Sequence, residues 1–150
     1  MHKITLTLLL GLCALCAPAA SIRAAETASA QSVPMRVAFH LDTDNKGTVT
    51  ALHQVKNVLA ADPTAKIVVV VVGTSVRFLV KGSTTEGGYP FGLMIEDLQQ
   101  SGVRFEACNN TMTTLKITKN QLDDGIDVVP SGLAELARLQ SREGYAYIKP

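Results

Sequence analysis

The chain has 150 residues, 47% hydrophobic and 18% charged, which is enough to bury the core of one domain and hardly enough for two. This composition excludes a disordered chain, a coiled coil and a basic nucleic-acid-binding tail. Fourteen Lys and Arg residues against thirteen Asp and Glu leave a net charge of +1, so no electrostatic footprint for nucleic acid or an anionic membrane is present. Aromatic residues are 5% and Trp is absent, which disfavours platforms that stack bases or sugars.

The N-terminal residues have the pattern of a secretory signal peptide. Lys3 supplies a short positive region, residues 4–16 are uncharged and mostly apolar, and residues 17–19 form an A-x-A cleavage site. An uncleaved anchor is the alternative, but the apolar stretch is short for a membrane-spanning helix. We therefore predict a signal peptide over residues 1–19, with alanine-rich alternative cleavage sites as late as residue 30.

Cleavage determines which cysteines remain. We expect residues 20–34 to be a disordered lead-in and residues 35–150 to form one domain, exported to the periplasm and without membrane association. Leu precedes both Cys13 and Cys16, where a lipoprotein cysteine requires a small residue, so no lipid anchor is predicted. Both would leave with the signal peptide, and Cys108 would be the only thiol, unable to form an internal disulfide.

From residue 35 onward, patterns typical of strands alternate with patterns typical of helices. The predicted strands are residues 35–42, 66–73, 103–108, 126–129 and 145–149. The predicted helices are residues 48–61, 76–80, 91–102 and 131–144, with Thr48 and Ser131 as N-caps. The second strand is a continuous β-branched run, as in a sheet covered on both faces. The fold class is therefore α/β, a three-layer α/β/α sandwich with a mainly parallel five-stranded sheet.

Asp42 and Asp44 follow the first predicted strand and invite two metal-site interpretations. A calcium loop requires an oxygen ligand at the position of Lys46 and a Glu at that of His53. A phosphatase motif with an aspartate nucleophile requires Thr or Val at the position of Lys46. We interpret the segment as a turn between a strand and a helix. Because His40 and His53 cannot build a three-histidine zinc site and no phosphate-binding glycine motif is present, the sequence predicts no metal and no cofactor.

Cys108 is the strongest candidate for chemistry. It ends a predicted strand, and parallel sheets bind ligands beyond the carboxyl ends of their strands. Backbone N–H groups at the following turn favour a thiolate, and Asn109, Asn110 and Thr111 add side-chain donors. Such a thiolate can hold sulfur reversibly as a persulfide. The alternative is a buried cysteine that only packs, because free cysteines are among the most buried residues. The residues alone leave both interpretations open.

Four stretches of the chain carry a resemblance to a known family. They are residues 37–42 (VAFHLD), 102–111 (GVRFEACNNT), 128–136 (VVPSGLAEL) and 143–150 (EGYAYIKP). Through them, essentially all of residues 35–150 resembles the DsrE/DsrF-like family of small sulfur-relay proteins, in particular its exported branch.

The resemblance implies a flavodoxin-related three-layer fold and assembly into homotrimers or homohexamers. It also implies that Cys108 matches the cysteine that carries sulfane sulfur, and that His40 matches a histidine that would serve as a proton partner. Expected partners are sulfur donor and acceptor proteins or small sulfane-sulfur compounds, and no nucleic acid. Export is a departure, since the well-understood relay proteins are cytoplasmic, and several family members lack demonstrated activity.

Two functions of different classes follow. The first is a periplasmic sulfur carrier that holds a persulfide on Cys108, with Asn109, Asn110 and Thr111 stabilising the sulfur anion; whether this sulfurtransferase-like role makes it an enzyme stays open. The second is a non-catalytic oligomeric module that binds a small ligand or a protein. A thiol–disulfide oxidoreductase is disfavoured, because the mature chain lacks the second cysteine that would resolve a mixed disulfide.

Overall fold

A computed structural model describes residues 33–150 of the chain. The predicted signal peptide, residues 1–19, and nearly all of the predicted lead-in, residues 20–34, lie outside the described residues and stay predictions. Within residues 33–150, no helix is both long and apolar enough to cross a membrane.

The described chain alternates strands with helices in the predicted order. The strands are β1 (Arg36–Leu41), β2 (Lys66–Val71), β3 (Arg104–Cys108), β4 (Ile126–Val129) and β5 (Ala146–Ile148). The α-helices are α1 (Asn45–Ala61), α2 (Phe91–Gln100), α3 (Asn109–Leu115) and α4 (Gly132–Glu143). Two 3-10 helices span Gly73–Leu79 and Lys119–Gln121. The first of these begins three residues before the predicted helix 76–80 and ends one residue before it does.

The five strands form one sheet in the order β4-β3-β2-β1-β5, and every neighbouring pair is parallel. From β1 to β4, each successive strand is added at the same edge of the sheet. The connection from β4 to β5 crosses back over the sheet and places β5 on the other side of β1. Because crossovers between parallel strands are right-handed, these two directions place their helices on opposite faces. The first three α-helices cover one face and α4 covers the other, which confirms the three-layer α/β fold.

The alternation of side chains along each strand divides the core into two layers. In β1, Val37, Phe39 and Leu41 belong to the larger apolar cluster under α1 and α2. All of β2 after Lys66 is buried, as expected for a strand with helices on both faces. The layer under α4 is much smaller, and its buried apolar residues are Ala38, Val68, Val70, Leu136 and Leu139. The polar side chains of the sheet interior therefore lie on this thinner side.

The start of α1 differs from the prediction, whereas that of α4 agrees with it. Asp44, and not Thr48, is the N-cap of α1, and its Oδ1 accepts the N–H of Gly47 at 2.7 Å. Thr48 lies one turn inside the helix, 1% exposed, with its hydroxyl donating to the Asp44 carbonyl at 2.8 Å. Asp44 caps the helix in place of Thr48 because Asp is among the strongest N-cap residues and stands three residues before Gly47, whose N–H needs an acceptor. Ser131 caps α4 as predicted.

Replacing Asp44 with Ala should lower the free energy of unfolding by about 1 kcal/mol, because the N–H of Gly47 loses its acceptor. Thermal denaturation should show a melting temperature lower by roughly 3–5 °C. Asp44→Asn is the matched control, since its amide oxygen can still accept that hydrogen bond. Equal stability of wild type and Asp44→Ala would contradict the assigned cap.

Candidate functional site

Cys108 is the last residue of β3 and stands directly before α3. Phe105 and Ala107 of the same strand belong to the larger core, so Cys108 points to the opposite face, under α4. The first residue of α4 lies against it: a Cβ added to Gly132 would be 3.2 Å from the Cβ of Cys108. The residue is 5% exposed and is the only cysteine of the described chain. The sulfur is therefore enclosed between the end of β3 and the start of α4.

Hydrogen-bonding groups surround the sulfur and control its ionisation. Burial on its own would raise the pKa of the Cys108 thiol. The backbone N–H of Gly132, the N–H and hydroxyl of Thr111, and the N–H of Asn110 act in the opposite sense, and together they bring the pKa below its ordinary value. These donors therefore lower the pKa of the thiol although the sulfur is nearly removed from solvent.

Thr111 is oriented by a contact with the neighbouring strand. Its hydroxyl oxygen accepts the N–H of Gly73, the residue that follows β2 by two positions, at 3.2 Å. With its oxygen used as an acceptor there, the hydroxyl proton is free to be directed at the sulfur of Cys108. The carboxyl ends of β2 and β3 therefore cooperate in stabilising the thiolate.

Gly132 falls at the start of the predicted helix 131–144, and the sequence analysis gave it no role in the site. A Cβ at this position would overlap Cγ1 of Val72 and lie 3.3 Å from Cγ1 of Val70. Only glycine lets the first turn of α4 approach the sheet closely enough for its N–H to act on Cys108. The usable signal was the combination of an N-cap serine with a glycine at the first helical position, directly after a strand.

Asn109 and Asn110, whose side chains are predicted to stabilise the sulfur anion, directly follow Cys108 in the chain. Both residues are exposed at the start of α3. The backbone N–H of Asn110 helps to lower the pKa of the Cys108 thiol, and the roles of the two side chains stay predictions. Their carbonyl groups accept the hydroxyls of Thr113 and Thr114, one turn later in α3. Thr111 is the residue of this turn whose side chain acts on the sulfur.

His40 is not brought to the sulfur within the chain. The strand register pairs His40 of β1 with Val70 of β2, and Val70 with Glu106 of β3. The backbones of His40 and Glu106 are therefore two strand spacings, about 10 Å, apart. Cys108 lies two residues further along β3. Its Nδ1 and the Tyr147 hydroxyl are 2.8 Å apart. Burial, and then Lys149, lower the pKa of His40, with a smaller opposing effect of Asp42. The structure does not bring His40 and Cys108 together within the described chain, and the predicted proton partnership stays a prediction.

The two aspartates after β1 have structural contacts. Asp44 is the helix cap, and Asp42 lies so close to Gly73 that a Cβ there would overlap its carboxylate. Gly73 has a φ of +58°, a conformation that glycine adopts without strain. Among residues 33–150, no group of three or more His, Cys, Asp or Glu side chains is arranged to hold a metal ion.

Thr111→Val should raise the pKa of Cys108, because the variant keeps the side-chain shape and loses the hydroxyl. Below the thiol midpoint, the rate of alkylation by iodoacetamide should fall roughly three- to tenfold, and at high pH it should converge with the wild-type rate. Thr113→Val is the control, since that hydroxyl bonds a carbonyl of α3. Identical pH profiles for Thr111→Val and wild type would rule out the hydroxyl as a thiolate donor.

Gly132→Ala should push the start of α4 away from the sheet and so weaken the N–H contribution to the thiolate. We expect a loss of about 1–3 kcal/mol in stability, typical of overpacking, together with a higher thiol pKa measured by the same alkylation assay. Gly87→Ala serves as the control, because its Cβ would meet only Thr85 Oγ1, at 3.8 Å. An unchanged thiol titration in a folded Gly132→Ala variant would contradict the role of α4.

Comparison with known proteins identifies relatives of this fold. The sequence model of the DsrE/DsrF-like family matches residues 19–150. Among solved structures, the protein of unknown function MTH1491 from Methanobacterium thermoautotrophicum is 32% identical, with a TM-score of 0.69 over 77% of this chain and 99% of that chain. The ychN protein of E. coli is 16% identical, with a TM-score of 0.65 over 79% and 100% of the two chains, a likeness of fold alone. No curated protein matches the chain.

The family match extends over the whole domain, including β3, Cys108 and the start of α4. The structural likeness to MTH1491 spans nearly the full length of that protein. Sequence and fold agree in this assignment. The chain belongs to the DsrE/DsrF-like family.

Proposed function

We propose that the protein carries sulfane sulfur as a persulfide on Cys108 and passes it to a partner. The observation that carries this proposal is that the only cysteine of the described chain lies between the starts of α3 and α4, whose donors lower the pKa of its thiol. Membership of the DsrE/DsrF-like family supports sulfur relay in general. The position at the carboxyl end of a parallel strand also supports it, because ligands of such sheets bind there.

The transfer needs no oxidant and no cofactor. The Cys108 thiolate attacks the outer sulfur of a persulfide donor, a new S–S bond forms at Sγ, and the donor leaves as a thiolate that takes up the proton its persulfide released. With thiosulfate as donor, the leaving group is sulfite. In the second half of the cycle, the thiolate of an acceptor attacks the outer sulfur and Cys108 leaves. The donors around Sγ stabilise the Cys108 thiolate, which is the nucleophile in the first transfer and the leaving group in the second.

The setting of this reaction is part of the proposal. The predicted signal peptide places the protein in the periplasm, where the donor and acceptor would be exported proteins or small sulfane-sulfur compounds. Family resemblance supports a homotrimer or homohexamer. Asn109 and Asn110 are exposed beside the sulfur and would meet either partner first.

A second function has one observation in its favour. Cys108 is 5% exposed, and a thiol this enclosed reacts only if a partner or a local opening reaches it. The same fold would then act as a non-catalytic oligomeric module that binds a small ligand or a protein, with Cys108 contributing packing. Its signature is slow alkylation in the folded state and unchanged behaviour of Cys108→Ala.

Incubation with thiosulfate or a low-molecular-weight persulfide should add about 32 Da, one sulfur atom, to the peptide that contains Cys108. Peptide-resolved mass spectrometry locates the adduct, which a dithiol reductant should remove. Cys108→Ser should carry no adduct there, and Thr111→Val should load more slowly. Absence of the adduct under conditions that load an established carrier would favour the binding module.

A further inference from the structure

Glu106 is a buried carboxylate on β3, two residues before Cys108. It is 4% exposed. Because side chains alternate along a strand, Glu106 and Cys108 point to the same face, under α4, with their Cα atoms about 7 Å apart. On the same face and strand, Arg104 Nε lies 2.9 Å from Glu106 Oε1. A buried ionisable group therefore lies beside the reactive thiol.

One oxygen of this carboxyl has no partner. Oε2 of Glu106 is shielded from solvent and makes no hydrogen bond among the described residues. An ionised oxygen in such a position is unfavourable, because neither water nor a donor compensates its charge. The protonation state of Glu106 therefore depends on the charges that face it.

Those charges come from three elements. Burial raises the pKa of Glu106, Arg104 lowers it, and Glu135 of α4 and Asp127 of β4 raise it further. Glu135 is itself paired with Arg138 in the next turn of α4. Two carboxylates and one partly exposed guanidinium thus act on Glu106, and the balance favours the protonated acid more than in water. His40 is in the same row of the sheet, two strands away.

We propose that Glu106 is a positioning residue for Cys108, whose charge state sets how readily the thiol ionises. Two negative charges about 7 Å apart on the covered face of a sheet disfavour each other, so ionised Glu106 opposes the thiolate and protonated Glu106 does not. The helix α4 acts on both groups, through the N–H of Gly132 on the sulfur and through Glu135 on the carboxyl. The inference rests on the proposed function only in taking Cys108 as the reacting group.

The coupling has a consequence for pH dependence. As the pH falls, protonation of Glu106 removes a negative charge from the neighbourhood of Cys108 and so lowers the pKa of the remaining thiol. The thiolate population then declines over a wider pH range than that of an isolated cysteine. The site would keep a reactive sulfur in mildly acidic surroundings.

Glu106→Gln tests this coupling through the pH profile of Cys108 alkylation in the full chain, quantified on the Cys108 peptide. Below the wild-type midpoint the rate should rise about three- to tenfold, because the opposing charge is gone. The substitution also frees Arg104 of its anionic partner, which acts in the same direction. Glu106→Asp keeps the charge and should retain a midpoint close to that of wild type.

Glu96→Gln is the matched control, since it makes the same substitution at an exposed carboxylate of α2, on the opposite face of the sheet. It should leave the profile unchanged. If Glu106→Gln does not fold, Glu106→Met supplies a neutral side chain of similar size. Proteins often tolerate the replacement of buried ion-paired residues by apolar residues of similar volume. A folded neutral variant with the wild-type profile, or an equal shift in Glu96→Gln, would overturn the proposal.

Alkylation requires no sulfur donor, so the two proposals fail separately. A shifted profile in Glu106→Gln without persulfide loading of wild type would contradict the carrier function and retain the coupling. Persulfide loading of wild type together with an unshifted profile in Glu106→Gln would support the carrier function and contradict the coupling.

Discussion

The contact between the first residue of α4 and the last residue of β3 is the constraint on which the site depends. A thiol enclosed to this degree would ordinarily keep its proton, because burial disfavours the charged form. The N–H groups at the starts of α3 and α4 reverse that preference at Cys108. The reversal requires a helix start that almost touches the sheet, and a side chain as small as a methyl group at Gly132 would prevent it.

The topology explains why this contact occurs on the thinner side of the molecule. Three crossovers in one direction build a deep apolar layer, and the single return crossover supplies α4 alone. With few apolar side chains needed there, the sheet can present Glu106, Cys108 and His40 to that face. The same helix covers the sulfur and carries Glu135, so the ionisable groups of this face share one electrostatic environment.

Patterns of hydrophobicity predicted the fold, whereas details of the site depended on contacts between distant segments. The valine run of β2 predicted a strand buried on both faces, and Cys108 was identified from its place at a strand end. The cap of α1 was assigned to Thr48 and not to Asp44, because both are good cap residues and only the packed helix decides between them. The role of Glu106 was missed because the missing partner of Oε2 is not visible along the chain. The serine and glycine at the start of α4 are visible there, but the distance between that helix and Cys108 is not. His40 was expected near the sulfur because strand order, which sets its distance, is not readable from one sequence.

The central claim is that the donors at the starts of α3 and α4 lower the pKa of the Cys108 thiol in spite of its burial. The ultraviolet absorbance of the thiolate, followed against pH with Cys108→Ser as the baseline, measures this directly and requires neither an electrophile nor a sulfur donor. The structure predicts a midpoint below that of a free cysteine. A midpoint at or above that value would contradict the account, and the enclosed sulfur would then be a packing group of the fold.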